Sequence, residues 1–264
     1  MAFIIDYVTA KSSHHDKNED SFICSDKYII VADGMGGEVC GDIASKIAVS
    51  TISSILDCRL DGFHTEDDIR ELSYYAISMA DLEIAKYIAS NPGTDGMGTT
   101  VLLLIHIDLN IYVAWCGDSR CYYYTPSKRL NSLTVDHSYV QQLIDDGKIS
   151  VEESFSHPDN NIITRYVGGG KAFCVPDFKS ILCANVSVMV LCSDGLSGYC
   201  RIRDIEKEIE NGSYGDLSKR LLGLAIKKGS NDDITIVTLF QELDSFQSKV
   251  RKWLKSISRK MRYR

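Results

Sequence analysis

The chain has 264 residues, 44% of them hydrophobic and 25% charged, with a net charge of −7 at pH 7. Those proportions belong to a folded globular protein and exclude disordered, collagen-like and coiled-coil chains. The mild acidity argues against a nucleic-acid partner, and the longest strongly apolar run, residues 101–107, is far shorter than the roughly 20 residues of a transmembrane helix.

From the N-terminus, apolar runs predict strands over residues 3–8, 22–25 and 28–32, with a polar segment, 11–19, between the first two. The period then lengthens. Ile43, Ala44, Ile47, Ala48, Ile52, Ile55 and Leu56 predict one helix. Ile69, Leu72, Ala76, Ala80, Ile84, Tyr87 and Ile88 predict a second, stopped by Asn91-Pro92-Gly93. Strands follow at 100–107, 111–116 and 120–125, with Asn110 marking the turn between the first two. A helix over 139–145 ends at Gly147, and polar, irregular chain occupies 150–164. Strands at 173–178 and 186–192, helices at 204–210 and 217–227, and a last strand at 234–240 complete the chain. Strands and helices come in blocks instead of alternating. This predicts an α+β fold, a four-layer α-β-β-α sandwich of two antiparallel sheets flanked by helices. One domain is expected over 1–240, followed by an appendage at 241–264.

Residues 1–6 are apolar but too short for a secretory signal, and none of the nine cysteines forms a C-x-x-C pair. Reduced, buried cysteines in a cytoplasmic protein are the expectation.

Five acidic clusters fall at predicted strand ends: Asn18-Glu19-Asp20, Asp33-Gly34, Gly117-Asp118-Ser119, Ser193-Asp194-Gly195 and Asp232-Asp233. One Asp-Gly alone is more often a turn than a ligand, but five such clusters in one domain make a pattern that rigid strands would hold in place. Carboxylates gathered together repel unless a cation lies among them. All-oxygen donors suit Mg²⁺ or Mn²⁺, and a two-metal carboxylate site suits phosphoester hydrolysis by an activated hydroxide.

The order and spacing of Asn18-Glu19-Asp20, Asp33-Gly34-Met35-Gly36-Gly37, Gly98-Thr99-Thr100, Gly117-Asp118-Ser119-Arg120, Asp136-His137-Ser138, Asn161-Ile162-Ile163-Thr164-Arg165, Ser193-Asp194-Gly195 and Asp232-Asp233-Ile234-Thr235 resemble the metal-dependent protein phosphatases, the PPM family, of the compact bacterial kind. The resemblance implies a serine/threonine phosphatase that takes phosphorylated proteins, reverses a cognate kinase and acts as a monomer. It implies that Asp33 bridges two ions with the Gly34 carbonyl as a further ligand. Asp194 and Asp232 complete the first ion, Glu19 and Asp20 serve the second, and Asp118 helps hold a third, weaker one. Residues 138–165 correspond to the family's flap over the substrate, and Asp136-His137-Ser138 has no nucleophilic role.

Three departures stand out. His15 occupies the place of an arginine that grips the substrate phosphate, which leaves a phosphate-contact role and a plain loop role both open. It also keeps a second overall reading alive, a weakly active or non-catalytic phosphoprotein-binding relative in a signalling complex. Met35 replaces a histidine of the eukaryotic relatives. Asp233 replaces the usual asparagine, either to tighten metal binding or to stand behind the ligands. Finally, residues 245–264 carry eight basic residues and no acidic one, with Phe246, Val250, Trp253, Leu254, Ile257 and Met261 at helical spacing. This basic amphipathic tail is expected to dock on the body, on a partner or on an anionic membrane surface.

Overall fold

A computed structural model describes residues 3–36, 40–63, 65–170 and 174–241. The tail beyond 241, Gly37 of the glycine turn and Phe173 lie outside them. In chain order the elements are β1 (Phe3–Ala10), β2 (Ser21–Cys24), β3 (Tyr28–Ala32), β4 (Gly34–Met35), α1 (Gly41–Arg59), α2 (Glu66–Ser90), β5 (Gly98–Thr99), β6 (Val101–Ile107), β7 (Asn110–Cys116), β8 (Arg120–Tyr124), β9 (Leu130–Ser132), α3 (Tyr139–Asp145), α4 (Val151–Ser154), β10 (Asp177–Leu182), β11 (Val188–Cys192), α5 (Asp194–Ser197), α6 (Ile202–Glu210), α7 (Leu217–Lys227) and β12 (Ile234–Gln241).

The strands form two five-stranded sheets, ordered β1-β12-β11-β8-β9 and β10-β7-β6-β3-β2, with β4 and β5 as a separate small pair. Every pairing is antiparallel. Strand β3 shows why the sheets stack. Its side chains alternate, so Ile29 and Val31 enter the core between the sheets, where Leu102, Trp115, Leu191 and Val237 meet them. Tyr28, Ile30 and Ala32 face outward onto α1 and α2. On the other sheet, Val188, Val190, Ile234 and Ile236 meet Ile205 and Ile209 of α6 and Leu217 and Leu221 of α7. Both faces of each sheet are therefore covered, which explains continuous apolar strands in an antiparallel protein. The expected four-layer sandwich is the observed fold.

Local chemistry sets the helix starts. The Thr65 hydroxyl accepts from Asp68 N and the Asp68 carboxylate from Thr65 N, a reciprocal cap on α2. Ser138 caps α3 by accepting from Gln141 N. Seven of the nine cysteines are buried, Cys24 is partly exposed and Cys58 exposed, and none forms a disulfide.

Several boundaries differ from expectation. The strand expected at 173–178 runs from Asp177 to Leu182, since Pro176 has no N–H to give a ladder. The turn expected at Asn110 lies at Asp108 and Leu109. Asp108 adopts a positive φ of 54°, and Asn110 already pairs with Ile107. The irregular stretch at 150–164 contains α4, opened by a Ser150–Glu153 capping box.

Candidate functional site

Register places all five acidic clusters at one end of the sandwich. Ala32 at the end of β3 pairs with Ser21 at the start of β2, so Asp33 and Asp20 are neighbours. Cys192 at the end of β11 pairs with both Arg120 and Ile236, which brings Asp194, Asp118 and Asp232 to the same end of the other sheet. The turn from Cys116 to Arg120 passes from one sheet to the other and sets Asp118 where the two meet.

Hydrogen bonds fix each turn. Thr99 Oγ1 and Thr100 N both donate to the Asp33 carbonyl at 2.8 Å, and Asp33 N donates to Thr100 Oγ1 at 3.0 Å. Thr100 Oγ1 is also 2.7 Å from Ser119 Oγ, tying the Asp33 turn to the Asp118 turn. Gly117 in that turn has a φ of 118°, a conformation side chains avoid. Across the sheets, Ser193 Oγ donates to Asp20 Oδ2 at 2.8 Å and accepts from Thr235 N at 2.9 Å. The Ser193 hydroxyl thus positions Asp20, a role the sequence did not disclose although Ser193 lies beside Asp194.

The carboxylates strain against one another. Asp20 and Asp194 are each pushed up to about 7, first by burial and then by neighbouring aspartates. Burial raises Asp33 and Asp118 well above the carboxylate range, with the other aspartates adding to it. Asp232 and Glu19 also move up, chiefly through desolvation. Asp20 Oδ1, Asp118 Oδ1 and Asp194 Oδ1 are buried with no hydrogen-bond partner. Orphaned carboxylate oxygens facing like charge are what a hard divalent cation would satisfy. Among the described residues, no group of three or more His, Cys, Asp or Glu side chains is already arranged to hold a metal ion.

A pH dependence follows. Asp20 and Asp194 rise from an ordinary 3.8 to about 7 on folding. The metal-free protein must then hold protons that the unfolded chain releases, so its stability falls as pH rises from about 4 to 7. Thermal unfolding in chelator is expected to show a Tm lower by about 5 °C at pH 7.5 than at pH 5.5. Mn²⁺ should reverse the loss, and a Tm that climbs with pH in chelator would contradict this.

His15 and Asp233 act together. Asp233 is buried and accepts from Ser12 N at 2.6 Å, Glu19 N at 2.7 Å and His15 Nδ1 at 3.0 Å. Asp233 therefore stands behind the acidic cluster and shapes the 12–19 loop. His15 keeps 37% of its side chain exposed, and the hydrogen bond to Asp233 holds its pKa above 6.5, with Asp232 and Glu19 adding to that. Asp233→Ala would strand the buried Ser12 N–H and free the half-buried Glu19 and His15 donors, a cost of about 3 kcal/mol in all. A Tm fall of about 6–12 °C is expected in thermal unfolding, and an unchanged Tm would refute the assignment.

The expected flap comprises α3, α4 and the loop back to β5, closed by isolated bridges between Ser138 and Ile163 and between Thr99 and Val167. Arg165 donates to Asp177 Oδ1 and to the Val175 carbonyl, both at 2.9 Å. His137 Nε2 lies 3.3 Å from Asp177 Oδ2. His137 Nδ1 accepts from Gly117 N at 3.1 Å, which places the ring proton on Nε2. Asp136 binds Arg120 through both oxygens. Asp136, His137 and Ser138 thus bond to Arg120, to Asp177 and to the start of α3.

The profile of the protein phosphatase 2C family matches residues 11–221. The serine/threonine protein phosphatase PstP of Mycobacterium tuberculosis is 29% identical over 220 residues, 83% of this chain but 41% of PstP, so the chain spans about two fifths of that relative. The serine/threonine phosphatase Stp of Listeria innocua is 32% identical over 238 residues, covering 87% of this chain and 91% of the relative. Among solved structures, Stp1 of Staphylococcus aureus superposes with a TM-score of 0.84 at 27% identity, over 92% of this chain and 96% of that one. The catalytic domain of PstP in complex with 2 manganese ions shares the fold at a TM-score of 0.76 and 24% identity, over 90% of this chain and 98% of that one.

Proposed function

The chain belongs to the protein phosphatase 2C family, and we propose that it is a metal-dependent phosphatase of phosphoserine and phosphothreonine in proteins. The observation that carries this reading is the ring of carboxylates at one end of the sandwich, three of whose oxygens are buried with no protein partner. Those donors fit Mn²⁺ or Mg²⁺, and the manganese pair of the PstP structure supports the choice of ion. Asp33 would lie between two ions with the Gly34 carbonyl. Asp194 and Asp232 would complete one, Glu19 and Asp20 would serve the other, and Asp118 would offer a weaker third position beside Asp194. Bound there, divalent ions would polarise the phosphoryl oxygens and acidify coordinated water.

The chain's own groups do the rest. Sheet ends and their hydrogen bonds hold the carboxylates without reorganisation. His15, its pKa raised by the hydrogen bond to Asp233, meets the substrate phosphate from the 12–19 loop. Met35 has no proton to give, so the leaving serine or threonine oxygen takes its proton from solvent. The substrates are phosphorylated proteins, and the opposing enzyme would be a serine/threonine kinase. Among the described residues no helix is long and apolar enough to cross a membrane.

Phosphate release should be measured on phosphoserine, phosphothreonine and phosphotyrosine peptides with Mn²⁺. Turnover of the first two is expected to dominate, and binding without release would point to the non-catalytic relative. His15→Ala is expected to raise KM about tenfold with a smaller change in kcat, and an unchanged KM would remove its phosphate contact.

A further inference from the structure

Beside the acidic cleft lies a second cavity of ≈ 320 Å³, between α3, α4 and the start of α6. Ile144, Val151, Phe155 and Ile202 form the apolar part of its lining, beside Ser132, Thr134 and Gln141. Val151 is 55% exposed and Ile202 40% exposed, so a hydrophobic patch stands open to solvent. Its rim is basic. The Arg201 guanidinium lies 5.9 Å from the centre of the Phe155 ring, and Arg203 reaches across the mouth to within 3.9 Å of Glu152 Oε1. Two arginines against one glutamate leave positive charge at this mouth, on a chain of net charge −7.

The cavity adjoins the cleft. Phe155, Ser154 and the Arg120–Asp136 pair line both this cavity and the pocket that holds Asp118, Asp194 and Asp232. An extended chain advances about 3.3 Å per residue, so a residue only a few positions from a phosphorylated one held in the cleft can reach the adjoining cavity.

We propose that this cavity is a substrate-specificity subsite, taking an apolar side chain close to the phosphorylated residue and pairing an adjacent acidic residue with Arg201 and Arg203. The inference rests on the phosphatase reading above and names which phosphoproteins that site prefers. The basic rim selects an acidic flank and repels the chain's own residues 245–264, which carry eight basic residues and no acidic one. The floor is closed by Tyr122, which is 2% exposed, so an entering side chain is desolvated on several sides. Filling an apolar pocket of this kind discriminates about 10–200-fold.

The test compares kcat/KM for two phosphothreonine peptides and a small aryl phosphate with Mn²⁺. One peptide carries leucine and aspartate on both sides of the phosphothreonine, and the other carries glycine and serine there. The unaltered protein is expected to prefer the first at least about tenfold. The double variant Val151→Ser/Ile202→Ser and the double variant Arg201→Ala/Arg203→Ala are each expected to lose most of that preference. Both should hydrolyse the aryl phosphate within twofold of the unaltered rate, and Ile202→Leu should retain the preference. Equal rates on the two peptides, or a preference that survives both double variants, would overturn the subsite while leaving the phosphatase reading intact. Failure to hydrolyse either peptide or the aryl phosphate would overturn the phosphatase reading itself.

Discussion

Asp33→Asn is expected to remove turnover and, in chelator, to make the protein more stable. The two effects share one cause. Asp33 is half-buried among Asp20, Asp194, Asp118 and Asp232, and desolvation, with the charges of these neighbours, raises its pKa well above the carboxylate range. The folded, metal-free protein holds this proton to higher pH than the unfolded chain does, a difference that opposes folding as pH rises. Asparagine keeps the shape and removes the titration. A Tm rise of about 3–6 °C in chelator, equivalent to roughly 1–2 kcal/mol, is expected. The same change removes the carboxylate that would bridge the ions. Phosphate release should fall about 10³-fold or more, the scale of losing charge stabilisation in a transition state. The Tm gain on adding Mn²⁺ should vanish with it. A variant that is less stable in chelator and still gains stability from Mn²⁺ would show that Asp33 is not at the centre of the cluster.

Gly34→Ala is expected to cost nearly as much through sterics alone. A Cβ at Gly34 would lie 2.1 Å from Gly41 O and 2.7 Å from Glu19 O. Both are backbone atoms, so no side-chain rotation relieves the clash. Relief requires the start of α1 and the Glu19 backbone to move away from the Asp33 turn, which separates Glu19 from Asp33. Overpacking costs typically about 1–3 kcal/mol, and the rigid neighbours here place this case at the upper end. A Tm fall of about 6–12 °C is expected, together with loss of Mn²⁺-dependent activity. Gly223→Ala provides the contrast. Nothing lies within 4 Å of its Cβ position in α7, and alanine favours a helix, so its Tm should stay level or rise slightly.

The layers were legible because alternation and helical period survive in the residues. Ile29 and Val31 against Tyr28, Ile30 and Ala32 already define the two faces of β3, and the helix at Tyr139–Asp145 has its expected bounds. The aspartates were legible because each follows or precedes an apolar run. Pairing order was not, since β1 lies beside β12, with Phe3 opposite Gln241, a contact no local pattern encodes. Strand β9, three residues long, carries too few positions to show a period. Asp233 reads in sequence as one more acidic residue beside Asp232. Its role behind the cluster depends on Ser12, His15 and Glu19, more than 200 positions away. The link from Arg165 through Asp177 to His137 was hidden for the same reason.

The most direct measurement is phosphate release from a phosphothreonine peptide by chelator-stripped protein as Mn²⁺ is added back. No turnover without the ion, and saturable turnover with it in the unaltered chain but not in Asp33→Asn or Asp194→Asn, is the result expected. Turnover that persists in chelator, or that returns equally in the variants, would contradict the assignment of the carboxylate cluster as the metal-dependent centre.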